Sequence, residues 1–235
     1  MSELDPTTLL GRLAKLIADD DPARPLEERL CRAYLAILGG DGAAITLSYN
    51  DPDRVTLFAT DDLAARLEDL QDVLGEGPGP TAYGSETITV ADLRAEESRW
   101  PLFADAARSI PGAAVVYSVP IRPWNHGAVG VLTVHQDGGD LPASDRAQFL
   151  ANAIGAALAK DPPDESELRS GPWATRSEVH QATGMVVAQL HVSPEDALAL
   201  LRAHAFSHNL SLAQVAQEIT SRRLYFSDDA ESENS

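Results

Sequence analysis

Residues 174–220 decide the organisation of this chain, and they read ATRSEVHQATGMVVAQLHVSPEDALALLRAHAFSHNLSLAQVAQEIT. Apolar residues recur three or four positions apart in three successive runs, which is the spacing of one face of an α-helix. A hydroxyl residue followed three positions later by a carboxylate or amide occurs at Thr175, Ser193 and Ser211. Such a pair can cap the free N–H groups of a helix N-terminus. The pattern therefore predicts three consecutive helices, each beginning at one of these capping boxes.

The inward faces of these three helices are predicted to be small and rich in alanine. They consist of Val179, Ala182, Val186, Val187 and Leu190, then Ala197, Leu198, Leu201 and Ala205, then Leu212, Val215, Ala216 and Ile219. Helices with such small side chains must approach each other closely. A unit of about 50 residues buries little apolar area. We therefore expect this helical module to be stabilised by dimerisation or by docking on the rest of the chain.

Two polar stretches mark the limits of the helical module. Residues 161–173 are charged and rich in proline and glycine, which is typical of a linker because proline does not continue a helix. Residues 227–235 contain four acidic residues and predict a disordered acidic tail. The sequence thus predicts a first domain over residues 1–160, a linker over 161–173 and the helical module over 174–226.

The first domain alternates between helical and strand-like patterns. Helical spacing occurs over residues 7–17, 26–38, 63–74 and 144–160, and strand-like runs occur over residues 43–49, 54–60, 87–90, 113–121 and 128–135. A turn is expected at 50–53, a loop at 75–80 and a loop or helix at 99–109. Helices that flank hairpin-linked strands indicate an α+β domain with an antiparallel sheet. The apolar stripe at residues 9–17 fits either a dimerisation helix or a helix packed on its own domain.

Composition narrows the class of protein. The formal net charge is −18, but residues 174–226 carry four arginines and four carboxylates, so the acidic excess lies outside the helical module. Cys31 is the only cysteine, which excludes a disulfide framework and favours a reducing cytoplasm. The apolar runs are far shorter than the roughly 20 residues of a membrane helix. The acidic N-terminus does not have the pattern of a secretory signal.

No motif for catalysis or metal binding is recognisable. Residues 75–79 are rich in glycine, but they follow a helix and lack the Gly-Lys-Ser/Thr ending of a phosphate-binding loop. Nucleophile elbows, Cys–His pairs and paired carboxylates are also missing. His204 and His208 lie four positions apart and can share a helix face, but no third ligand is evident. We therefore predict a protein that is not an enzyme, with no catalytic residue and no metal site.

Specific residues of both parts resemble known families. The helical module resembles the ANTAR domain, a family that binds paired RNA hairpin loops in nascent transcripts and prevents transcription termination. The similarity lies in residues 181–186, 189–190, 197–198, 201–202, 205–206, 215–216 and 219. The first domain resembles the GAF domain at residues 42–47, 74–78, 82, 90–93, 100–103, 118–121 and 127–132. Together they imply an α+β GAF-like domain followed by an all-α, three-helix ANTAR-like module, an order typical of actinobacterial regulators.

The ANTAR resemblance implies an RNA-binding surface on the first helix and after the last one. Hairpin loops are recognised by stacking on bases and hydrogen bonding to them, which Arg, Gln and His can supply. The predicted RNA-binding residues are Arg176, His180, Gln181, Thr183, Gly184, Gln189, Arg222 and Arg223. Many ANTAR domains carry a lysine where this chain has Thr183. Gly184 costs about 1 kcal/mol relative to alanine inside a helix, so it predicts close approach of RNA or of another helix. Arg222 and Arg223 could equally complement the dipole at a helix C-terminus.

The GAF resemblance implies a ligand pocket between the sheet and residues 74–100. Candidate lining residues are Tyr83, Trp100, Phe103, Tyr117 and Trp124, which could also be ordinary core aromatics. Related GAF segments often carry a cysteine where this chain has Gly79, so thiol chemistry at that position is excluded. Pockets of this fold bind cyclic nucleotides, tetrapyrroles and other small molecules, and the sequence identifies no particular ligand or cofactor.

Two functions remain open at this point. One is a cytoplasmic, homodimeric and signal-responsive antitermination regulator, in which the helical module binds RNA and the GAF-like domain senses a small molecule or a partner. The other is a protein-interaction adaptor whose ANTAR-like module does not bind RNA. The net charge and Thr183 favour the adaptor.

Overall fold

The structure is a computed structural model that describes residues 5–48, 54–95, 98–112, 114–123, 127–139, 142–160 and 170–226. The first domain contains a five-stranded sheet of β1 (Gly42–Leu47), β2 (Val55–Ala59), β3 (Thr89–Asp92), β4 (Val115–Ile121) and β5 (Gly130–Gln136). Its order is β2-β1-β5-β4-β3, and every neighbouring pair is antiparallel. The predicted antiparallel sheet is therefore confirmed.

Six of the described helices lie on the two faces of this sheet, and three more follow the first domain in the sequence. They are α1 (Pro6–Asp19), α2 (Leu26–Leu38), α3 (Asp62–Leu74), α4 (Pro78–Ser85), α5 (Pro101–Arg108), α6 (Ser144–Leu158), α7 (Gly171–Leu190), α8 (Pro194–His208) and α9 (Leu212–Thr220). Helices α1, α2 and α6 pack on one sheet face, and α3, α4 and α5 cover the other. None of the described helices is long and apolar enough to cross a membrane.

Helix α1 packs on its own domain. Leu9 and Leu13 are almost fully buried in the cluster that α1 forms with α2, α6 and the sheet. The structure therefore agrees with the interpretation of this apolar stripe as a helix packed on its own domain. Leu10 is the large apolar residue of α1 that remains exposed.

Helix α4 corrects one prediction, because residues 78–80 were expected to be part of a loop. Proline is tolerated in the first turn of a helix, where its missing N–H would have had no partner in any case, so Pro78 begins this helix. Gly77 precedes it with φ +141°, which a residue with a side chain rarely adopts. A Cβ at Gly77 would lie 2.7 Å from the Gln71 side chain, so α4 begins against α3.

The three predicted helices of the helical module are present as α7, α8 and α9, and only one of the capping boxes is complete. Ser211 accepts the N–H of Gln214 at 3.2 Å, and the Gln214 side chain accepts the Ser211 N–H at 2.8 Å. Ser193 accepts the Asp196 N–H, but the shorter aspartate binds the Ser193 hydroxyl at 2.7 Å instead of the backbone.

The box at Thr175 was predicted wrongly, because α7 begins at Gly171 and Thr175 lies inside it. Its hydroxyl donates to the Gly171 carbonyl at 3.2 Å. Residues 171–173 therefore belong to the helix and not to the linker, since Pro172 stands in the first turn, where proline is tolerated. Ser170 precedes α7 directly, and residues 161–169 of the predicted linker lie outside the described residues. The predicted turn at 50–53 and the predicted acidic tail at 227–235 also lie outside them.

The helical module docks on the first domain. Val73 of α3 belongs to the same buried apolar cluster as Ala205, Leu212 and the rest of the module's core. Helix α3 contacts α8 and α9, and α7 contacts β2. The expectation that so small a core needs support from elsewhere in the chain agrees with this arrangement.

Candidate functional site

Helix α7 presents one continuous exposed face, which we call the α7 stripe. It consists of Ser177, His180, Gln181, Gly184 and Ala188, on the side opposite the buried core residues. A Cβ placed on Gly184 would meet no heavy atom within 4 Å. Packing within the described residues therefore does not require a glycine here, and the backbone of α7 is open to a partner at this point.

The structure brings together only some of the predicted RNA-binding residues. His180, Gln181 and Gly184 share the α7 stripe. Thr183 faces inward with 7% of its surface exposed, and its hydroxyl donates to the Val179 carbonyl at 2.8 Å. It is therefore not placed to meet a ligand on that stripe.

The remaining predicted RNA-binding residues lie elsewhere on the helical module. The Gln189 side chain accepts the backbone N–H of Phe226 at 3.1 Å, so it holds the segment that follows α9. Arg176 lies over the ring of Trp173 and lines a groove towards the first domain. Arg222 and Arg223 are exposed just beyond α9.

The sheet face beneath α3, which we call the buried face, is unusually polar. Residues paired across antiparallel strands point to the same side, so Ser118, Thr133 and His135 share this face with Thr46. All four are buried, and the hydroxyls of Ser118 and Thr133 lie 3.2 Å apart. A polar floor under helices is the kind of surface that can hydrogen-bond a small ligand.

Glu68 of α3 lies over this polar floor, and only 1% of its side chain is exposed. Its carboxylate accepts the Thr46 hydroxyl at 2.7 Å, the Arg54 guanidinium at 2.6 Å and the Gln71 amide at 3.0 Å. The Gln71 oxygen in turn accepts the N–H of Gly79 at the start of α4, at 2.6 Å. The buried charge of Glu68 is thus paired and hydrogen-bonded, as a charge in a protein interior must be.

No sequence pattern predicted a role for Glu68 or Gln71. A signal for Gln71 was present, because it stands four residues after Leu67 and therefore on the apolar side of α3. A polar side chain on an apolar helix face either finds a buried partner or is costly. Which partner Gln71 finds could not be read from one sequence.

The predicted pocket aromatics do not line a common site. Trp100 and Phe103 belong to a buried cluster with Leu67, and the Trp100 ring N–H donates to Thr81 at 2.9 Å. Tyr83 lies half-buried on α4. Tyr117 points to the opposite sheet face, where burial raises the pKa of its phenol, and Trp124 lies outside the described residues.

Asp72 connects the two parts of the chain. Its Oδ1 lies 3.5 Å from Arg54 Nη1 of the first domain and 3.5 Å from Arg202 Nη2 on α8 of the helical module. Because Arg54 also binds Glu68, a series of direct contacts runs from Thr46 on the buried face to Arg202. Both arginines are mostly buried, with 6% and 18% of their side chains exposed.

Two grooves flank this contact, and Asp69 lines both. One measures about 320 Å³ and lies between β2 and α7, with Arg54 and Arg176 in its wall. The other measures about 660 Å³ and lies between α5 and α8, with Ile110 and Phe206 in its wall. The contact between the two parts of the chain therefore has an open groove on either side.

Asp69 gives this contact a dependence on pH. Partial removal from water, followed by the negative charge of Asp72, raises the pKa of Asp69 to about 6. A carboxyl group whose pKa is higher in the folded state stabilises the fold least above that pKa. Asp69→Asn is therefore expected to be more stable than the parent at about pH 8 and equal to it below about pH 4. The gain should stay under about 1 kcal/mol, because the side chain remains accessible to water.

Thermal unfolding at these two pH values measures the effect of Asp69→Asn. The matched control is Asp105→Asn, since the Asp105 side chain is 90% exposed. An equal gain at both pH values would show that titration of Asp69 is not the cause.

The histidine pair on α8 is stacked, with the ring centroids of His204 and His208 4.0 Å apart. His208 Nδ1 lies 3.0 Å from the His204 carbonyl oxygen. Within the described ranges, no group of three His, Cys, Asp or Glu side chains is placed to hold a metal ion.

Comparison with known proteins finds one family model that matches the helical module. Residues 173–219 match the family model of the ANTAR domain. No curated protein matches the chain at a significant level.

Similar solved structures include GAF domains. The GAF domain from the Acinetobacter phosphoenolpyruvate-protein phosphotransferase has a TM-score of 0.47 at 13% identity, over 68% of this chain and 96% of that one. The corresponding domain from Coxiella burnetii has a TM-score of 0.43 at 13% identity, over 66% and 93%. The GAF-B domain of DevS from Mycobacterium smegmatis has a TM-score of 0.37 at 14% identity, over 65% and 92%.

The family match and the observed architecture agree with the prediction from sequence. An antiparallel α+β domain precedes three helices, in the order that the sequence predicted. Residues 173–219 of this chain thus match the ANTAR domain, and they follow an α+β domain with an antiparallel sheet.

Proposed function

We propose that this protein is a signal-responsive, RNA-binding regulator that prevents transcription termination by holding paired hairpin loops of a nascent transcript. The observation that carries the proposal is the α7 stripe, which lies within the ANTAR match and leaves the backbone at Gly184 open. A glycine that costs helix stability without a packing reason points to close approach by a partner.

The α7 stripe suits unpaired bases better than a duplex. Gln181 can hydrogen-bond to base edges, and His180 can stack on a base or hydrogen-bond to it. Both flank Gly184, where a ribose or phosphate can come near the helix backbone. Loop recognition through this face therefore needs no large positive surface.

The charge balance of the helical module implies that its affinity for RNA comes from specific contacts and from the binding of two hairpin loops by two modules. The module carries as many carboxylates as arginines, so its non-specific attraction to the phosphate backbone is weak. Two modules in a homodimer would bind two hairpin loops of one transcript, and the second binding event would be intramolecular. Paired hairpins would then bind much more tightly than single ones.

The contacts from Thr46 to Arg202 supply a path for the signal. A ligand on the buried face would compete with Thr46 or Gln71 for the Glu68 carboxylate. Because Glu68 holds Arg54, this competition would move the Arg54 guanidinium. The positive charge that faces Asp72 would then change its position. A ligand shifts such an equilibrium only if its affinity differs between the two states. Docking leaves the α7 stripe exposed, so the contact acts on the orientation of α7 and does not cover it.

Gly184→Ala is expected to separate stability from RNA binding. The free energy of unfolding should rise by roughly 0.5–1 kcal/mol, because alanine is the better helix former and its Cβ meets open space. RNA affinity should fall, because the methyl group stands between the RNA and the backbone. The probe is an RNA selected by the full-length protein from a pool of tandem hairpins with randomised loops, and fluorescence anisotropy measures its affinity.

Gly11→Ala is the matched control, since Gly11 is an exposed glycine of α1 that also has nothing within 4 Å of its Cβ position. It should give a similar gain in stability and unchanged RNA affinity. Equal RNA affinity of the parent and Gly184→Ala would refute the role of the α7 stripe.

The second candidate function is a protein-interaction adaptor. The net charge of −18 and the inward-facing Thr183, where many ANTAR domains have lysine, favour it. Selection would then recover no RNA from the tandem-hairpin pool, and a stoichiometric protein partner would survive treatment with RNase.

A further inference from the structure

The chain continues beyond α9 and beyond the ANTAR match in a short segment, residues 221–226, which we call the C-terminal strap. Arg222 has φ +60° and reverses the direction of the chain. The N–H groups of Arg222 and Leu224 bond to the carbonyls of Ile219 and Glu218 at 2.9 and 3.0 Å, which closes the end of α9. The strap then runs back along the surface of the module.

The strap is held against α7 at both ends. Thr220, the last residue of α9 before the strap, donates its hydroxyl to Glu178 at 2.8 Å, and at the end of the strap the Phe226 N–H donates to Gln189 at 3.1 Å. Glu178 and Gln189 lie about 16 Å apart along the helix axis, given a rise of about 1.5 Å per residue. The strap therefore follows α7 along more than half of its length.

The strap lies beside the α7 stripe. Residues three or four apart are neighbours on a helix surface, so Glu178 adjoins Gln181, and Gln189 adjoins the position of Met185, which itself adjoins Gln181 and Ala188. A segment bound to Glu178 and Gln189 thus borders the stripe on its Gln181 side. Together they form one continuous surface.

Side chains of the strap divide between the core and the solvent. Leu224 and Phe226 pack against the apolar core of the module, and the Phe226 ring meets His204 edge-on at 5.7 Å. Tyr225 is 68% exposed, which is the largest exposure of a large hydrophobic side chain in the described ranges. The side chains of Arg222, Arg223 and Tyr225 make no hydrogen bond or ion pair with the described residues.

We propose that the C-terminal strap is the second wall of the RNA surface, with Tyr225 stacking on an unpaired loop base and Arg222 and Arg223 contacting phosphates. This inference rests on the proposed function. An exposed aromatic ring beside paired arginines is the combination that binds single-stranded nucleic acid, because every base has a face for stacking and every linkage a phosphate. Arg222 and Arg223 are consecutive cations on the surface of a module whose arginines and carboxylates are equal in number.

The test compares Tyr225→Ala and Tyr225→Phe with the parent on the selected tandem-hairpin RNA. We expect the alanine variant to bind roughly 10- to 100-fold more weakly, and the phenylalanine variant to keep most of the affinity because it still stacks. Thermal stability should not change, since the ring is mostly exposed. Phe206→Ala is the control, because Phe206 is another exposed aromatic residue, 54% exposed, that lies on the groove side of α8.

Two further measurements define the contact. With Arg222 and Arg223 both changed to alanine, the slope of log affinity against log salt should fall by about 0.7 for each lost phosphate contact. RNA that carries 4-thiouridine in its loops should crosslink to the peptide that contains Tyr225.

The outcomes separate this inference from the proposed function. If the parent binds the selected RNA and Tyr225→Ala binds it equally well, the strap is not part of the surface, while the proposed function stands. If the parent selects no RNA at all, the proposed function fails and this inference with it. If Tyr225→Ala lowers the oligomeric mass in light scattering and leaves the intrinsic RNA contact unchanged, the strap is a contact between copies of the chain, which also overturns the inference.

Discussion

Replacing Glu68 by alanine is expected to lower the free energy of unfolding by about 3 kcal/mol, because the buried Arg54 guanidinium loses its nearest carboxylate and keeps the more distant Asp72, at 3.5 Å. The Arg54 guanidinium, with 6% of its side chain exposed, loses the carboxylate at 2.6 Å. Thr46 and Gln71 lose the same acceptor. The effect should appear as unfolding of the first domain at lower urea concentration.

Two variants make the measurement specific. Glu68→Gln keeps the shape and an oxygen acceptor but removes the charge, so its cost should fall between those of the parent and the alanine variant. Glu195→Ala removes an exposed carboxylate from the first turn of α8 and should cost under about 1 kcal/mol. A loss for Glu68→Ala as small as that of Glu195→Ala would show that the contacts of Glu68 do not hold the first domain together.

Arg202→Glu is expected to separate the helical module from the first domain. The substitution places a carboxylate beside Asp72, 3.5 Å from the present Arg202 nitrogen, and like charges in an interface cost several kcal/mol. Calorimetry should then show two unfolding transitions in place of one, and the radius of gyration should increase.

Arg222→Glu makes the same change of charge on an exposed arginine and should leave a single transition. In an Asp72→Asn background, Arg202→Glu should cost clearly less, because the two residues interact directly. An unchanged single transition for Arg202→Glu, or an equal cost in both backgrounds, would contradict the assignment of Asp72 as the link between the two parts.

Local patterns were enough to predict much of the fold. Helix α2 begins and ends at the predicted residues, because its apolar spacing is regular and Gly39 follows it. Helix α9 begins at a complete capping box, which is a pattern of only four residues. The prediction of helix starts failed where a residue type occurs both in loops and in the first turn of helices. Pro78 and Pro172 were interpreted as loop residues, although proline also starts helices.

The candidate sites depended on contacts that one sequence does not display. Thr183 and Gly184 are neighbours in the sequence, but one faces the core and the other the solvent, and the family resemblance alone did not separate them. Asp72 meets a residue 130 positions later in the chain. The C-terminal strap becomes part of the α7 surface only because Gln189 and Glu178 hold its two ends. Each of these features depends on tertiary structure, which the spacing of apolar residues along a sequence does not reveal.

The central claim is that RNA binds the α7 stripe. Crosslinking of RNA to the protein in its own cells, followed by sequencing, tests this claim most directly, with Gly184→Glu as the comparison. The substitution adds a negative charge where the structure leaves open space, so it should keep the fold and block RNA. We predict that the parent recovers leader transcripts with tandem hairpins and that Gly184→Glu recovers none of them. Recovery of the same RNA by both proteins, or of no RNA by the parent, would contradict the account.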